Sequence, residues 1–156
     1  METSATFEKI TSTENRRAFP GVMFDVLMHG NAIDNNIFVA EVEGLPGGEP
    51  PRHVHTLEDE VIIVKEGNIT YFIGDDIIFA KPGDTVILPK NIPHHFAIKS
   101  ERMKVVLVTT SASFGDFFIS MSVPYHGKDI PVAQRPSPEK LKELIALAES
   151  FGIHYV

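Results

Sequence analysis

Hydrophobic residues along this chain fall in short runs that are separated by glycine, proline and acidic residues. The runs are rich in β-branched and aromatic side chains, which favour strands, and their close spacing leaves little room for helices. The predicted strands are residues 22–28, 37–43, 61–64, 69–73, 77–80, 85–88, 94–98 and 103–109. Turns are predicted between them, for example at His29-Gly30-Asn31. Such a series indicates an all-β fold, either an antiparallel sandwich or a barrel.

One helix is predicted after the strands, at about residues 137–151. Ser137 suits the N-cap, Pro138 suits the first helical position, and Gly152 suits the residue just beyond the end. Apolar side chains recur between them at the helical period, at Leu141, Leu144, Ile145 and Ala148. We expect this helix to pack over the barrel rather than to carry function.

The chain of 156 residues is expected to form a single domain over 1–156. We place the N-terminal strands in 20–45, a motif-bearing barrel core in 36–112 and the helix at the end. Both faces of several runs are apolar, as expected where a small barrel also packs against a second sheet or subunit. We therefore expect a homodimer, with contacts through the N-terminal strands.

Composition and charge exclude several classes of partner. A formal net charge of −7 is unfavourable for binding the phosphates of nucleic acid. No run reaches the length of about 18 apolar residues that a membrane span needs, and residues 1–10 lack the apolar core of a signal peptide. The chain has no cysteine, which excludes disulfides and thiolate ligands and fits a reducing compartment. We expect a cytoplasmic protein with a small-molecule partner and no membrane contact.

Two histidines and a glutamate are spaced as metal ligands between Gly47 and Gly67. If the segment is extended, His53 and His55 point to the same face, because side chains alternate along a strand. Glu60 follows them after four intervening residues. Imidazole and carboxylate together suit a divalent transition metal, so this segment predicts a metal site.

A third imidazole comes from the adjacent pair His94 and His95, which follows a turn at residues 89–93. His94, Phe96 and Ile98 share one face of the predicted strand, so only one of the two histidines can face the barrel interior. Three imidazoles and one carboxylate would leave a divalent ion with a net charge of about +1 and open positions. Such a centre attracts an anionic oxygen ligand and leaves room for water or O₂.

The spacing of these residues resembles the two motifs of the cupin superfamily. The first motif is matched by Gly47-x5-His53-x-His55-x4-Glu60-x6-Gly67, and the second by Gly83-x5-Pro89-x-Asn91-x2-His94. Asn91 stands where a glycine is usual, a mild departure because asparagine tolerates left-handed backbone angles. Ile98 stands where the family pattern has an asparagine.

The resemblance implies a jelly-roll barrel in which His53, His55, Glu60 and His94 hold one divalent metal, with His94 selected over His95 by the motif register. The ion could be Fe, Mn, Ni, Co, Cu or Zn, because all of them accept this ligand set. The sequence around the motifs is most similar to that of single-domain bacterial quercetin 2,3-dioxygenase-like cupins. In that family the metal binds a deprotonated flavonol and O₂, and the carboxylate matching Glu60 is both ligand and proposed base.

Several residues near the motifs have a purely structural interpretation as well. The three histidines could be unrelated barrel residues, although their spacing favours ligation. Ile62, Val64 and Phe96 are candidates for the substrate pocket, with core packing as the alternative for each. Glu58 and Asp59 are expected to be solvated, although one of them could orient a ligand histidine. His95 is expected on the outer face.

Three functions are consistent with such a site. A dioxygenase acting on an aromatic enol or flavonol is favoured, because O₂ needs a redox-capable metal or an electron-rich bound substrate. A non-redox isomerase or lyase acting on a small carbonyl or sugar would need more polar side chains in the barrel than the strands offer. A non-catalytic ligand-binding cupin is the third hypothesis. We therefore predict the dioxygenase.

Overall fold

The computed structural model describes residues 15–30 and 36–156. The strands are β1 Arg16–Phe19, β2 Val22–His29, β3 Phe38–Gly44, β4 His53–His55, β5 Glu60–Glu66, β6 Ile69–Ile73, β7 Asp76–Ala80, β8 Thr85–Leu88, β9 His94–Ile98, β10 Met103–Thr109, β11 Val123–Pro124 and β12 Ile153–Tyr155. The helices are α1 Ala112–Ser120 and α2 Pro138–Ser150. Residues 1–10, considered above for a signal peptide, and Asn31 of the predicted turn lie outside the described residues.

The strands form two antiparallel sheets that enclose one hydrophobic core. A seven-stranded sheet has the order β11-β1-β2-β3-β10-β5-β8, and a five-stranded sheet has the order β12-β4-β9-β6-β7. Strands that neighbour each other in the chain often lie in different sheets, as β4 and β5 do. The prediction of an all-β jelly-roll barrel is confirmed.

The inward rows of the large sheet show how the strands build one wall of the core. Every second side chain of β3 is buried, and the same alternation continues in β10. Ala40, Leu107 and Ile62 lie side by side across β3, β10 and β5. Glu60 precedes Ile62 by two residues on β5, so the apolar wall ends on this carboxylate. The same alternation that builds the core therefore delivers a charged group to the interior.

Each predicted strand coincides with a strand of the structure, but four strands are additional. The segment His53–His55 is indeed extended, as β4. The strand β1 pairs with its chain neighbour β2 but was not predicted, because its sequence, Arg-Arg-Ala-Phe, contains no apolar run. The short strands β11 and β12 were not predicted, because their pairing partners are remote in sequence. Pairing of this kind leaves no local pattern from which a short strand could be predicted.

A second helix, α1, which the sequence did not predict, begins at Ala112, shortly after β10. The side chain of Ser111 accepts a hydrogen bond from the Ser113 N–H and caps its start. Gly115 within this helix lies so close to Phe38 that a Cβ atom there would stand 2.5 Å from the ring. A glycine within a helix is unfavourable in isolation. Packing of the aromatic residues of α1 on the core, rather than local propensity, therefore accounts for this helix.

The predicted C-terminal helix is confirmed as α2, and the Ser137 side chain caps it by accepting from the Lys140 N–H at 3.2 Å. Only its last turns pack on the barrel, because Ala148 is fully buried whereas Leu141 is exposed. Gly152 follows with φ +75° and turns the chain into β12. Neither helix of the described part of the chain is long and apolar enough to cross a membrane.

Candidate metal centre

Four side chains from three strands converge at one place inside the barrel. β4 contributes His53 and His55, β9 contributes His94, and β5 contributes Glu60. All four are buried, with relative exposures between 1% and 7%. One potential ligand atom from each lies within 4.8 Å of the others. The structure thus brings together the four residues that the sequence singled out.

Strand alternation and register explain the convergence. Val54 separates the two histidines of β4 and faces outward, whereas His53 pairs directly with His94 across the β4–β9 ladder. His95, one residue later, faces the other side of the sheet and stacks on Phe72 with ring centroids 4.5 Å apart. The structure therefore places His94 in the centre and His95 outside it.

The outer nitrogen of each imidazole already has a hydrogen-bond acceptor. His53 Nδ1 donates to the Pro51 carbonyl at 2.7 Å, and His94 Nδ1 donates to the Ile92 carbonyl at 3.0 Å. Carbonyl oxygens can only accept, so these contacts fix Nδ1 as the protonated nitrogen. Each ring therefore presents the lone pair of Nε2 to the interior.

These lone pairs face the carboxylate of Glu60 with no donor between them. Glu60 Oε2 lies 3.1 Å from His94 Nε2 and 3.5 Å from His55 Nε2. Both Glu60 Oε2 and His94 Nε2 are buried and have no hydrogen-bond partner. Lone pairs in contact in a buried site are unfavourable unless a cation or a proton lies between them. The donor set, three imidazoles and a carboxylate, therefore fits a divalent transition metal ion.

Burial and mutual charge shift the pKa values of these groups. Burial, reinforced by the neighbouring imidazoles, lowers the pKa of His53 to about 4, so this ring is neutral at physiological pH. Burial opposes ionisation of Glu60, but the imidazoles of His94 and His55 more than offset it, and the pKa of Glu60 is lowered. Burial also opposes protonation of His55, yet the carboxylates of Glu58 and Glu60 raise its pKa.

The expectation that Glu58 is solvated is wrong. Its relative exposure is 0%, and its Oε1 accepts a hydrogen bond from His55 Nδ1 at 2.5 Å. The structure therefore shows the contact that the alternative requires, a carboxylate bonded to a candidate ligand histidine. Asp59 is half-buried, and its Oδ1 accepts from the Lys90 N–H at 2.9 Å. The tight loop that joins β4 to β5 thus turns one of two adjacent carboxylates inward.

The candidate pocket residues belong to the hydrophobic core or pack against it. Ile62 and Val64 are buried in the hydrophobic cluster, and Phe96 is half-buried against it. The Phe96 ring lies 5.7 Å from that of Tyr71, a buried residue that the sequence analysis did not consider. Burial and the charge of Glu60 raise the pKa of Tyr71, so its hydroxyl remains a hydrogen-bond donor. A tyrosine at an inward-facing position of a predicted apolar strand is the sequence pattern that could have identified this residue.

One carboxylate ties the two motif segments together. Glu49 Oε2 accepts from the Gly47 N–H at 2.6 Å, and Glu49 Oε1 accepts from the Ile98 N–H at 2.8 Å. Gly47 belongs to the first motif, and Ile98 ends the strand that carries His94. The side chain of Ile98, which replaces the asparagine of the family pattern, is buried in the core. The Glu49 side chain, bonded to the Ile98 N–H, therefore supports this end of the strand.

The family model described as "Cupin domain" matches residues 40–110, which contain all four residues of the centre. Quercetin 2,3-dioxygenase of Bacillus subtilis (strain 168) is 30% identical over 98 residues, covering 63% of this chain and 29% of that protein. The chain therefore spans less than a third of the length of this curated relative.

Solved structures give the same picture of the fold. The polyketide cyclase RemF of Streptomyces resistomycificus superimposes with a TM-score of 0.56 at 20% identity, covering 67% of this chain and 79% of that one. The Streptomyces nucleoside dehydratase Pac13 superimposes with a TM-score of 0.55 at 19% identity, covering 68% and 83%. At such identities the likeness concerns the fold alone.

Proposed function

We propose that this chain, a cupin-superfamily protein that resembles quercetinase-like cupins, is a metal-dependent dioxygenase that cleaves an aromatic enol or flavonol with O₂. The observation that carries the proposal is the convergence of unpaired Nε2 and Oε2 atoms in a buried, largely apolar barrel. His53, His55, His94 and Glu60 would hold one divalent transition metal. The similarity to the Bacillus dioxygenase supports the choice of reaction.

The bound metal would supply Lewis acidity and, for a redox-active ion, electron exchange with O₂. The chain itself supplies a base and a dry pocket. Glu60 Oε2 would accept the proton of the substrate hydroxyl, and Ile62, Val64 and Phe96 would pack on the aromatic ring and exclude water. The neighbouring imidazoles lower the pKa of Glu60, so its carboxylate is ionised and able to accept a proton.

The test is oxygen consumption by the metal-loaded protein across flavonols and small enols, repeated for Fe, Mn, Co, Ni, Cu and Zn. We expect uptake that depends on both substrate and metal. Glu60→Gln should lower kcat about 10²- to 10⁴-fold, as loss of a general base does, while lowering metal content much less. Asp59→Asn is the matched control, since it removes an adjacent carboxylate that binds the Lys90 N–H instead.

Absence of uptake with every metal and substrate would reject the dioxygenase. Conversion of a carbonyl or sugar substrate without O₂ would then support the isomerase or lyase, and tight binding without turnover would support a ligand-binding cupin. If Glu60→Gln turned over normally, the base role would be wrong even if the dioxygenase were correct.

Three broader expectations stay predictions: one domain over 1–156, a cytoplasmic location and a homodimer. For the homodimer we propose a contact through one edge strand of each sheet, β7 and β8, rather than through the N-terminal strands. Large apolar side chains are exposed there, with Ile77 at 57%, Phe79 at 80% and Ile87 at 60%. Edge strands that expose apolar side chains are open to pairing with a second copy.

A further inference from the structure

Glu58 is a carboxylate with no exposed surface and one close contact to the candidate centre. Its Oε1 lies 2.5 Å from His55 Nδ1, whereas its Oε2 is buried without a hydrogen-bond partner. A carboxylate is costly to bury, and an apolar side chain of the same volume would fill the space without that cost. Packing alone therefore gives no reason for a carboxylate at this position.

The three imidazoles of the centre are anchored in two different ways. His53 and His94 donate to backbone carbonyls two residues earlier in the chain, so any sequence with this backbone would provide those contacts. His55 alone donates to a side chain. The orientation and tautomer of His55 therefore depend on the identity of residue 58. An anionic acceptor on Nδ1 also makes Nε2 of the same ring a stronger electron donor.

We propose that Glu58 is a positioning residue that holds His55 with Nε2 directed at the ion and strengthens that nitrogen as a ligand. The inference rests on the proposed metal centre but not on the reaction that the centre performs. It predicts that residue 58 controls metal affinity although it lies behind the ligand. Loss of such an outer partner typically weakens metal binding about 10- to 100-fold.

The alternative role is purely structural, in shaping the loop between β4 and β5. The two roles differ in how they act on stability. A structural role lowers the melting temperature of metal-free and metal-loaded protein by similar amounts. A positioning role reduces the increase in melting temperature that the metal produces, because that increase depends on the dissociation constant.

The experiment compares the full-length chain with Glu58→Met, which removes the acceptor, and Glu58→Gln, which keeps an acceptor oxygen but removes the charge. Asp59→Asn is the matched control for charge in the same loop. Co²⁺ affinity is measured by competition with a chelator, the visible spectrum of the Co²⁺ protein reports its ligand geometry, and melting is followed with and without Co²⁺.

We expect Glu58→Met to bind Co²⁺ about 10- to 100-fold more weakly than the parent and to show a changed visible spectrum. Glu58→Gln should lose less Co²⁺ affinity, and Asp59→Asn should match the parent in both measurements. If Glu58→Met does not fold, the comparison of Glu58→Gln with the parent decides. Parent-like Co²⁺ affinity and spectrum in the variants that fold would overturn the positioning role. If the parent bound no Co²⁺, the metal centre itself would be wrong, whereas metal binding without oxygen uptake would overturn only the dioxygenase.

Discussion

His94 and His95 are neighbours of the same residue type, yet only one of them reaches the candidate metal centre. His94 is 2% exposed and lies opposite His53, whereas His95 stacks on Phe72 on the other face. His95 Nδ1 also lies 3.5 Å from the Arg52 guanidinium. Side-chain alternation along a strand separates the two rings, so a shift of one residue would exchange their roles.

This separation gives a prediction for single substitutions. His94→Ala should lose bound metal while keeping its secondary structure, because one of four ligands is removed from a site already formed by the barrel. His95→Ala is the matched control and should keep the metal content of the parent. Elemental analysis of purified protein, with circular dichroism for the fold, measures both. Full metal content in His94→Ala would show that the ligand set is wrong.

The turn before β9 is the element that sets this register. Asn91 has φ +64°, the left-handed conformation that asparagine tolerates better than most residues. Its N–H donates to the His55 carbonyl at 2.7 Å, which ties the turn to the strand carrying two of the candidate ligands. The departure from glycine at this motif position is therefore accommodated by the backbone, as the sequence analysis expected.

We predict that Asn91→Gly changes the free energy of unfolding little, because glycine adopts the left-handed conformation readily. Asn91→Ala should destabilise the protein by about 1 kcal/mol, since alanine pays a steric cost there. Urea denaturation measures both, and Lys90→Ala serves as the control, because Lys90 is an exposed neighbour in the same turn. Equal stability of the alanine and glycine variants would contradict this account of the turn.

At the scale of the whole molecule, β7 and β8 are edge strands of the two sheets that close around the core, as are β12 and β11 at the opposite edges. The burial pattern of β7 is unusual, because four of its five residues are exposed although three of them are large and apolar. In contrast, β3 and β10 lie in the middle of the large sheet and alternate regularly between buried and half-buried residues. This contrast favours the β7–β8 end for subunit contact.

The corresponding prediction compares two exposed apolar residues at different ends. Phe79→Ser should weaken the dimer at least about tenfold, because burial of a Phe side chain contributes roughly 1.5–3 kcal/mol. Val132→Ser should leave it unchanged. Val132 is also exposed, at 74%, but it lies near the N-terminal strands. The carbonyl of the preceding residue, Pro131, accepts a hydrogen bond from the Gly21 N–H, which lies between β1 and β2. Analytical ultracentrifugation measures the association. The opposite result would support the N-terminal strands, and a monomeric parent would reject both.

The sequence by itself determined the features that depend on local pattern. Strand alternation paired His53 with His55, the motif spacing added Glu60, and its register selected His94. Apolar runs and turn residues likewise predicted the principal strands and α2, because periodicity and capping act over a few residues.

Tertiary structure alone decided what depends on residues remote in sequence. Glu58 and Asp59 are adjacent carboxylates, and only the path of the folded loop puts the first against His55 and the second against the Lys90 backbone.

Pairing and packing between distant segments decided further features. Tyr71 lies beside Phe96 because β6 pairs with β9, and β12 forms because it pairs with β4. The helix α1, with a glycine inside it, depends on packing against Phe38. Burial and contact between distant segments have no counterpart in local spacing, so these features appear only once the barrel has closed.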